Sequence, residues 1–181
     1  MAAIPEIYRW LEQCGSLPVM MRAALALLGT VEAPGEADNP VILGWAEELG
    51  GTVARDYRVD SIPWCGLFMA VVAQRAAKPL PEKPLWALDW ARFGVAAAIP
   101  ALGDVLVFRR SGGGHVGLYV GEDPDAYHVL GGNQNDRVGF TRIARSRSRL
   151  HAARRPAYRR RPASAVPVRL LASGALSVNE A

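Results

Sequence analysis

The hydrophobic period of this chain changes once, near Gly94, and that change limits the folds open to it more than any other feature. Before Gly94 apolar residues recur at three-to-four spacing, the period of a helix. After it they alternate, the period of a strand. The spacing predicts a helix over residues 3–13, ending at Gly15. A second, opened by Pro18, carries Val19, Met20, Ala23, Ala24, Leu27 and Leu28 and stops at Gly29. Residues 32–39, with Pro34 and Gly35, read as a loop. Asn39-Pro40 reads as an N-cap followed by first-turn proline, starting a helix through Leu49 that Gly50-Gly51 terminate. Asp60-Ser61-Ile62-Pro63 is another start signal, and the run 64–77 behind it is apolar on most sides, as a buried helix is. Pro79, Pro81 and Pro84 make a stiff connector to a short helix over 85–93. Residues 104–108, 115–120, 126–130 and 138–143 then read as strands between glycine-rich or acidic turns. Helices first and an antiparallel meander second predict an α+β fold, with the N-terminal helices packed on an antiparallel sheet.

The 181 residues fit one domain. Its expected extent is 18–160, preceded by a helical extension over 1–17 and followed by a flexible tail over 161–181 that is poor in periodicity. The longest apolar runs fall far short of the roughly 20 residues that cross a bilayer. Glu6, Arg9 and Glu12 precede any apolar run, so no secretory signal is visible and synthesis in the cytoplasm is expected.

Charge is unevenly placed. Residues 1–136 hold 10 Lys and Arg against 16 Asp and Glu, whereas residues 137–181 hold 11 Arg against the single acid Glu180. The stretch 142–161 of this arginine tract, from Arg142 to Arg161, is a candidate for contact with an anionic surface: wall polymer, lipid or nucleic acid. Two cysteines, Cys14 and Cys65, are too few for a disulfide scaffold and lack the paired spacing of a zinc site. At least one is expected to be a free thiol.

Cys65 falls in the first turn of the apolar helix, where unpaired N–H groups and the positive end of the helix dipole favour a thiolate. Cys14, at the end of the first helix with no histidine near it in sequence, reads as structural. His115 follows Ser111-Gly112-Gly113-Gly114 and opens a strand, so it is placed to meet a thiol presented by a facing helix, as nucleophilic catalysis requires. A third polar group should orient the imidazole. The next strand and its end offer His128 and Asn133, the latter after the glycine pair Gly131-Gly132, which suggests a bulge that re-aims side chains. His151, inside the arginine tract, has no catalytic role in this reading.

Ile62-Pro63-Trp64-Cys65-Gly66-Leu67-Phe68, the run 103–108 and Gly114-His115-Val116-Gly117-Leu118-Tyr119-Val120-Gly121 together resemble the NlpC/P60 and CHAP superfamily of papain-like cysteine peptidases and amidases. A phage-associated, endolysin-like branch is the most similar, through residues 28–35, Asn39-Pro40 and the Val-Leu-Gly-Gly-Asn-Gln segment 129–134. The resemblance covers about residues 18–158. It implies a papain-like NlpC/P60-type fold and hydrolysis of peptidoglycan, as a cell-wall amidase or peptide endopeptidase, by thiolate attack and a thioester intermediate.

Carried over by position, the resemblance implies Cys65 as nucleophile and His115 as base. It implies Asn133 as third residue by the CHAP pattern, or His128 by the NlpC/P60 pattern. It also implies a polar group near the oxyanion site just before the nucleophile helix, for which Asp60, Tyr57 and the adjoining Trp64 are candidates beside the Cys65 N–H itself. No metal or organic cofactor is implied. The enzyme would reach the wall after holin release or as a virion component. The competing expectation is a catalytically idle virion structural or nucleic-acid-binding module on the same fold, with the arginines contacting phosphate.

Overall fold

The computed structural model describes residues 2–145, 149–171 and 175–177. The fold is α+β: helices in the first half and a six-stranded antiparallel sheet in the second. A 3-10 turn, Glu6–Leu11, leads into α1 (Val19–Leu25), α2 (Pro40–Leu49), α3 (Gly51–Asp56) and α4 (Cys65–Arg75). Asn39 caps α2 as expected, its side chain accepting the Val41 N–H at 2.8 Å with Pro40 behind it. Gly50-Gly51 do not simply end this segment. At φ +66° Gly50 redirects the chain straight into α3, a conformation glycine adopts without a Cβ clash. α4 is buried from Cys65 through Ala73 and lies between α1 and α2 on one side and strands β3 and β4 on the other.

The strands are β1 (Val95–Ala96), β2 (Val105–Arg110), β3 (Gly113–Glu122), β4 (Ala126–Gly131), β5 (Gly139–Ala144) and β6 (Arg149–Arg155), in the spatial order β1-β6-β2-β3-β4-β5. β2 to β5 form the expected meander. Alternation sends Val105, Val107, Val116, Leu118 and Val120 into the core with α4, and Leu106, Phe108, Tyr119 and Val129 into a smaller cluster on the opposite face. A second 3-10 turn, Ala87–Arg92, packs on β2, β3 and β6.

Three expectations change. β6 lies inside the arginine tract, and its cations are used by the fold. Arg155 holds buried Asp104 through Nε (3.0 Å) and Nη2 (2.7 Å), while Arg154 donates to Phe93 O (2.6 Å) and Gly94 O (2.9 Å). Residues 1–17 are no separate extension, since Tyr8 and Leu11 are part of the core. Nor is the segment after 161 loose throughout: Leu102 N–H donates to Val166 O, Glu122 N–H to Val168 O and Leu170 N–H to Glu122 O. Among the described residues, no helix is long and apolar enough to cross a membrane.

Candidate active site

The first turn of α4 carries N–H groups without intrahelical partners, and Trp64, its N-cap, supplies no side-chain cap. The Cys65 sulfur sits among these groups. It faces the N–H of Cys65 and Gly66 from the helix and that of Val116 from β3, the residue after His115. Helix start and strand therefore meet at one sulfur atom. Cys65 is 5 % exposed and His115 1 %. Burial pushes the Cys65 thiol above its ordinary pKa, against the lowering pull of the Val116 N–H and of Arg110. The expected thiolate is not the favoured form here, because desolvation outweighs the helix start.

His115 is the cross-strand partner of Phe108, ring centroids 6.4 Å apart. Its Nε2 lies 3.2 Å from Gln134 Oε1. The orientation of that amide follows from its other end: Gln134 Nε2 donates to Gly139 O (2.5 Å) and Val129 O (3.3 Å), so the oxygen must face the imidazole. Nε2 of His115 is consequently the protonated nitrogen and Nδ1 carries the free lone pair. Among the described residues no hydrogen bond engages Nδ1, and none joins it to the Cys65 sulfur. Burial lowers the His115 pKa to about 4, only partly opposed by the Gln134 hydrogen bond. Thiol and imidazole are thus both neutral near pH 7.

The third position differs from both expectations. Asn133, at φ +56°, makes the turn that delivers Gln134, and no hydrogen bond joins it to His115. His128 lies in a separate buried network: Nδ1 is 2.7 Å from Tyr8 Oη and Nε2 is 2.7 Å from Asp123 Oδ2, which Arg142 also holds. Its register partner on β3 is Gly121, six residues beyond His115. Sequence reasoning gave Gln134 no role of its own. The signal available was the pair Gly131-Gly132: a Cβ on Gly131 would meet Gln134 Oε1 at 3.0 Å, and one on Gly132 would meet the Phe68 Cβ at 2.5 Å and Trp64 at 2.8 Å. Both glycines bring the turn against α4 and leave room for the folded-back glutamine.

The residues just before α4 brace loops. Asp60 Oδ2 accepts the N–H groups of Ala33 (2.9 Å) and Asn39 (2.8 Å), and Tyr57 Oη donates to Asp60 O and Ile62 O, both at 3.2 Å. Trp64 is fully buried, packs on Trp45 and donates from Nε1 to Glu32 Oε2 at 2.8 Å. None of the three has a hydrogen bond to Cys65 or His115. The N–H groups of Cys65, Gly66 and Val116 are the donors present at the sulfur.

The chain between α4 and β1 packs on the residues next to Cys65 and His115. The backbone of Pro84 and Leu85 lies on Gly66, where a Cβ would overlap the Leu85 carbonyl and come within 2.7 Å of Pro84 O. Leu88 covers Gly114, the residue before His115. Both cysteines are free. Among the described residues, no three His, Cys, Asp or Glu side chains gather as a metal site.

What the fold and site define is a class: an α+β protein in which a buried helix-start cysteine faces the backbone N–H that follows a buried strand histidine. No protein-family model, curated protein or solved structure matches the chain.

Proposed function

We propose that this chain is a cysteine-dependent hydrolase of peptide or amide bonds, with bacterial peptidoglycan as substrate, on a papain-like NlpC/P60-type scaffold. It would reach the wall after holin release or as a virion component. The observation that carries the reading is the meeting of three N–H groups and a histidine-bearing strand at the Cys65 sulfur, with the His115 imidazole oriented by Gln134.

In this reading His115 Nδ1 takes the Cys65 proton as the sulfur attacks the carbonyl carbon. The oxyanion forms against the helix-start N–H groups. Imidazolium then protonates the departing amine, and water, deprotonated by the same nitrogen, hydrolyses the thioester. Gln134 Oε1 accepts the Nε2–H hydrogen bond throughout, and that bond strengthens as the ring becomes charged. Both reactants start neutral, so the proton moves during attack rather than before it.

A second reading, an idle structural or nucleic-acid-binding module, is favoured by the burial of the pair and by the absence of a sulfur–imidazole hydrogen bond. Against its nucleic-acid form, Arg142, Arg154 and Arg155 hold Asp123, backbone carbonyls and Asp104 rather than facing outward together. Mass spectrometry of purified peptidoglycan after incubation separates the two. Soluble fragments released by wild type and not by folded Cys65→Ala support the hydrolase, and their masses name the bond. No release from Gram-negative or Gram-positive walls supports the idle module.

A further inference from the structure

A cavity of about 330 Å³ is walled by the 3-10 turn Ala87–Arg92, the connector before it and the ends of β2 and β6. Its lining is basic: Lys83, Arg92 and Arg109 stand against one carboxylate, Asp89, with His151 beside them. That carboxylate is already engaged, Oδ1 by Arg92 at 2.9 Å and Oδ2 by the Lys83 backbone N–H at 2.8 Å. Arg109 and His151 make no side-chain hydrogen bond or ion pair among the described residues. The rim carries Trp86, 57 % exposed, with Lys83 Nζ 5.7 Å from its ring centroid. Trp86 thus sets an apolar ring beside the Lys83 ammonium, with the unengaged Arg109 guanidinium lining the same cavity.

Position ties this cavity to the reacting groups. Leu88 forms part of its wall and also lies on Gly114, where a Cβ would be 2.6 Å from Leu88 Cδ2. Arg109 is the cross-strand partner of that same Gly114, one residue from His115. The cavity therefore lies against the stretch of β3 that leads into His115, on the face of Gly114, while the imidazole stacks on Phe108 on the other face. The volume is at the small end of ligand pockets and suits a single side-chain-sized group rather than a polymer segment.

We propose that this cavity is a carboxylate-binding subsite that holds an acidic residue of a peptide substrate, with Arg109 and Lys83 taking the carboxylate and Trp86 flanking the peptide backbone. The inference rests on the hydrolase reading for its substrate and deepens it. Arg109 offers the planar fork that matches a carboxylate, and Lys83 a mobile point charge. Phosphate groups share the charge but not the size or the adjoining amide that would lie along the indole.

The test uses full-length Cys65→Ala, which binds without turnover, and three probes: N-acetyl-alanyl-glutamate, its diamide with both carboxylates capped, and inorganic phosphate. Binding is read by the NMR shifts of the Trp86 indole and the His151 ring. The acid should move both signals, bind at least tenfold tighter than the diamide or phosphate, and weaken as salt rises. Arg109→Gln should weaken it about tenfold and Arg109→Lys less; Arg109 is exposed, so both variants should fold. Equal binding of acid and diamide, phosphate binding as tightly as the acid, or no effect of Arg109→Gln would each overturn the subsite. Failure of the hydrolase reading looks different: the acid would still bind selectively while wild type cut no wall peptide.

Discussion

Replacing Gln134 by alanine should separate the three candidates for the position beside His115. The hydrogen bond from a neutral imidazole is worth about 0.5–1.5 kcal/mol net, and one from an imidazolium about 1.5–3 kcal/mol. In the proposed mechanism only the difference, about 1–1.5 kcal/mol, acts on the rate, because it appears as the ring becomes charged during attack. Gln134→Ala should therefore lower kcat by roughly tenfold. The same change strips partners from Gly139 O at 2.5 Å, Val129 O at 3.3 Å and His115 Nε2. With each buried orphan costing about 1–3 kcal/mol and the Val129 bond a weak one, stability should fall by about 3 kcal/mol.

The assay is kcat on soluble disaccharide-peptide fragments, divided by the folded fraction read from urea unfolding of each variant. Per folded molecule, Asn133→Ala and His128→Ala should stay within about twofold of wild type, because neither touches the imidazole. Gln134→Glu adds a readout that a merely structural role would not move. A carboxylate beside Nε2–H stabilises imidazolium, so the acid limb of activity should move to higher pH. A larger loss of activity per folded molecule in Asn133→Ala or His128→Ala than in Gln134→Ala would refute the assignment of Gln134 as the positioning residue.

Burial lowers the His115 pKa from 6.5 to about 4, so the unfolded chain binds the proton first as pH falls. Stability should decline from about pH 6.5 to pH 4 by about 3 kcal/mol, a loss absent from His115→Gln in urea unfolding at the two pH values; equal losses in both proteins would contradict it. Arg155→Leu leaves Asp104 buried and unpaired and should cost about 3 kcal/mol, whereas Arg159→Leu, at an exposed residue, should change stability by less than about 0.5 kcal/mol. Equal midpoints for these two variants would show that the tract is not divided between fold and surface. With its thiol buried and its pKa raised, Cys65 should react with iodoacetamide at pH 7 more slowly than half-buried Cys14. Faster labelling of Cys65, mapped by tryptic peptides, would mean that the 84–85 segment opens readily and the thiol ionises.

The coarse fold was legible because its signals are local. Asn39 caps its own helix, the apolar run behind Trp64 is dense on most sides as in a buried helix, and the four meander strands are short apolar runs bounded by glycine-rich or acidic turns. β6 was not legible, because Arg154 and Arg155 read as solvated charge. Their partners, Gly94 O and Asp104, lie 60 and 51 residues away, and no periodicity reports them. α3 was hidden behind Gly50-Gly51, which signal an end equally well as a turn into another helix. At the candidate site, a helix start and a glycine-flanked strand singled out Cys65 and His115, and the structure has them in the first turn of α4 and on β3. Gln134 was not singled out, since what distinguishes it from Asn133 is the direction of one side chain. That direction is set by carbonyls on β4 and β5 and by how closely Gly131 and Gly132 let the turn approach α4. The same limit applies to the thiol: a helix start is visible in sequence, but the burial that raises the pKa of the thiol is not.

The central claim is that the Cys65 sulfur attacks the scissile carbonyl. Acid quench of wild-type protein during turnover of soluble peptidoglycan fragments, followed by tryptic mapping, reads this atom directly. An acyl group on the peptide that contains Cys65, and none on the peptide that contains Cys14, is the predicted result. Release of cleaved fragments by a Cys65→Ala variant, with no acyl group found on the wild-type peptide, would contradict it.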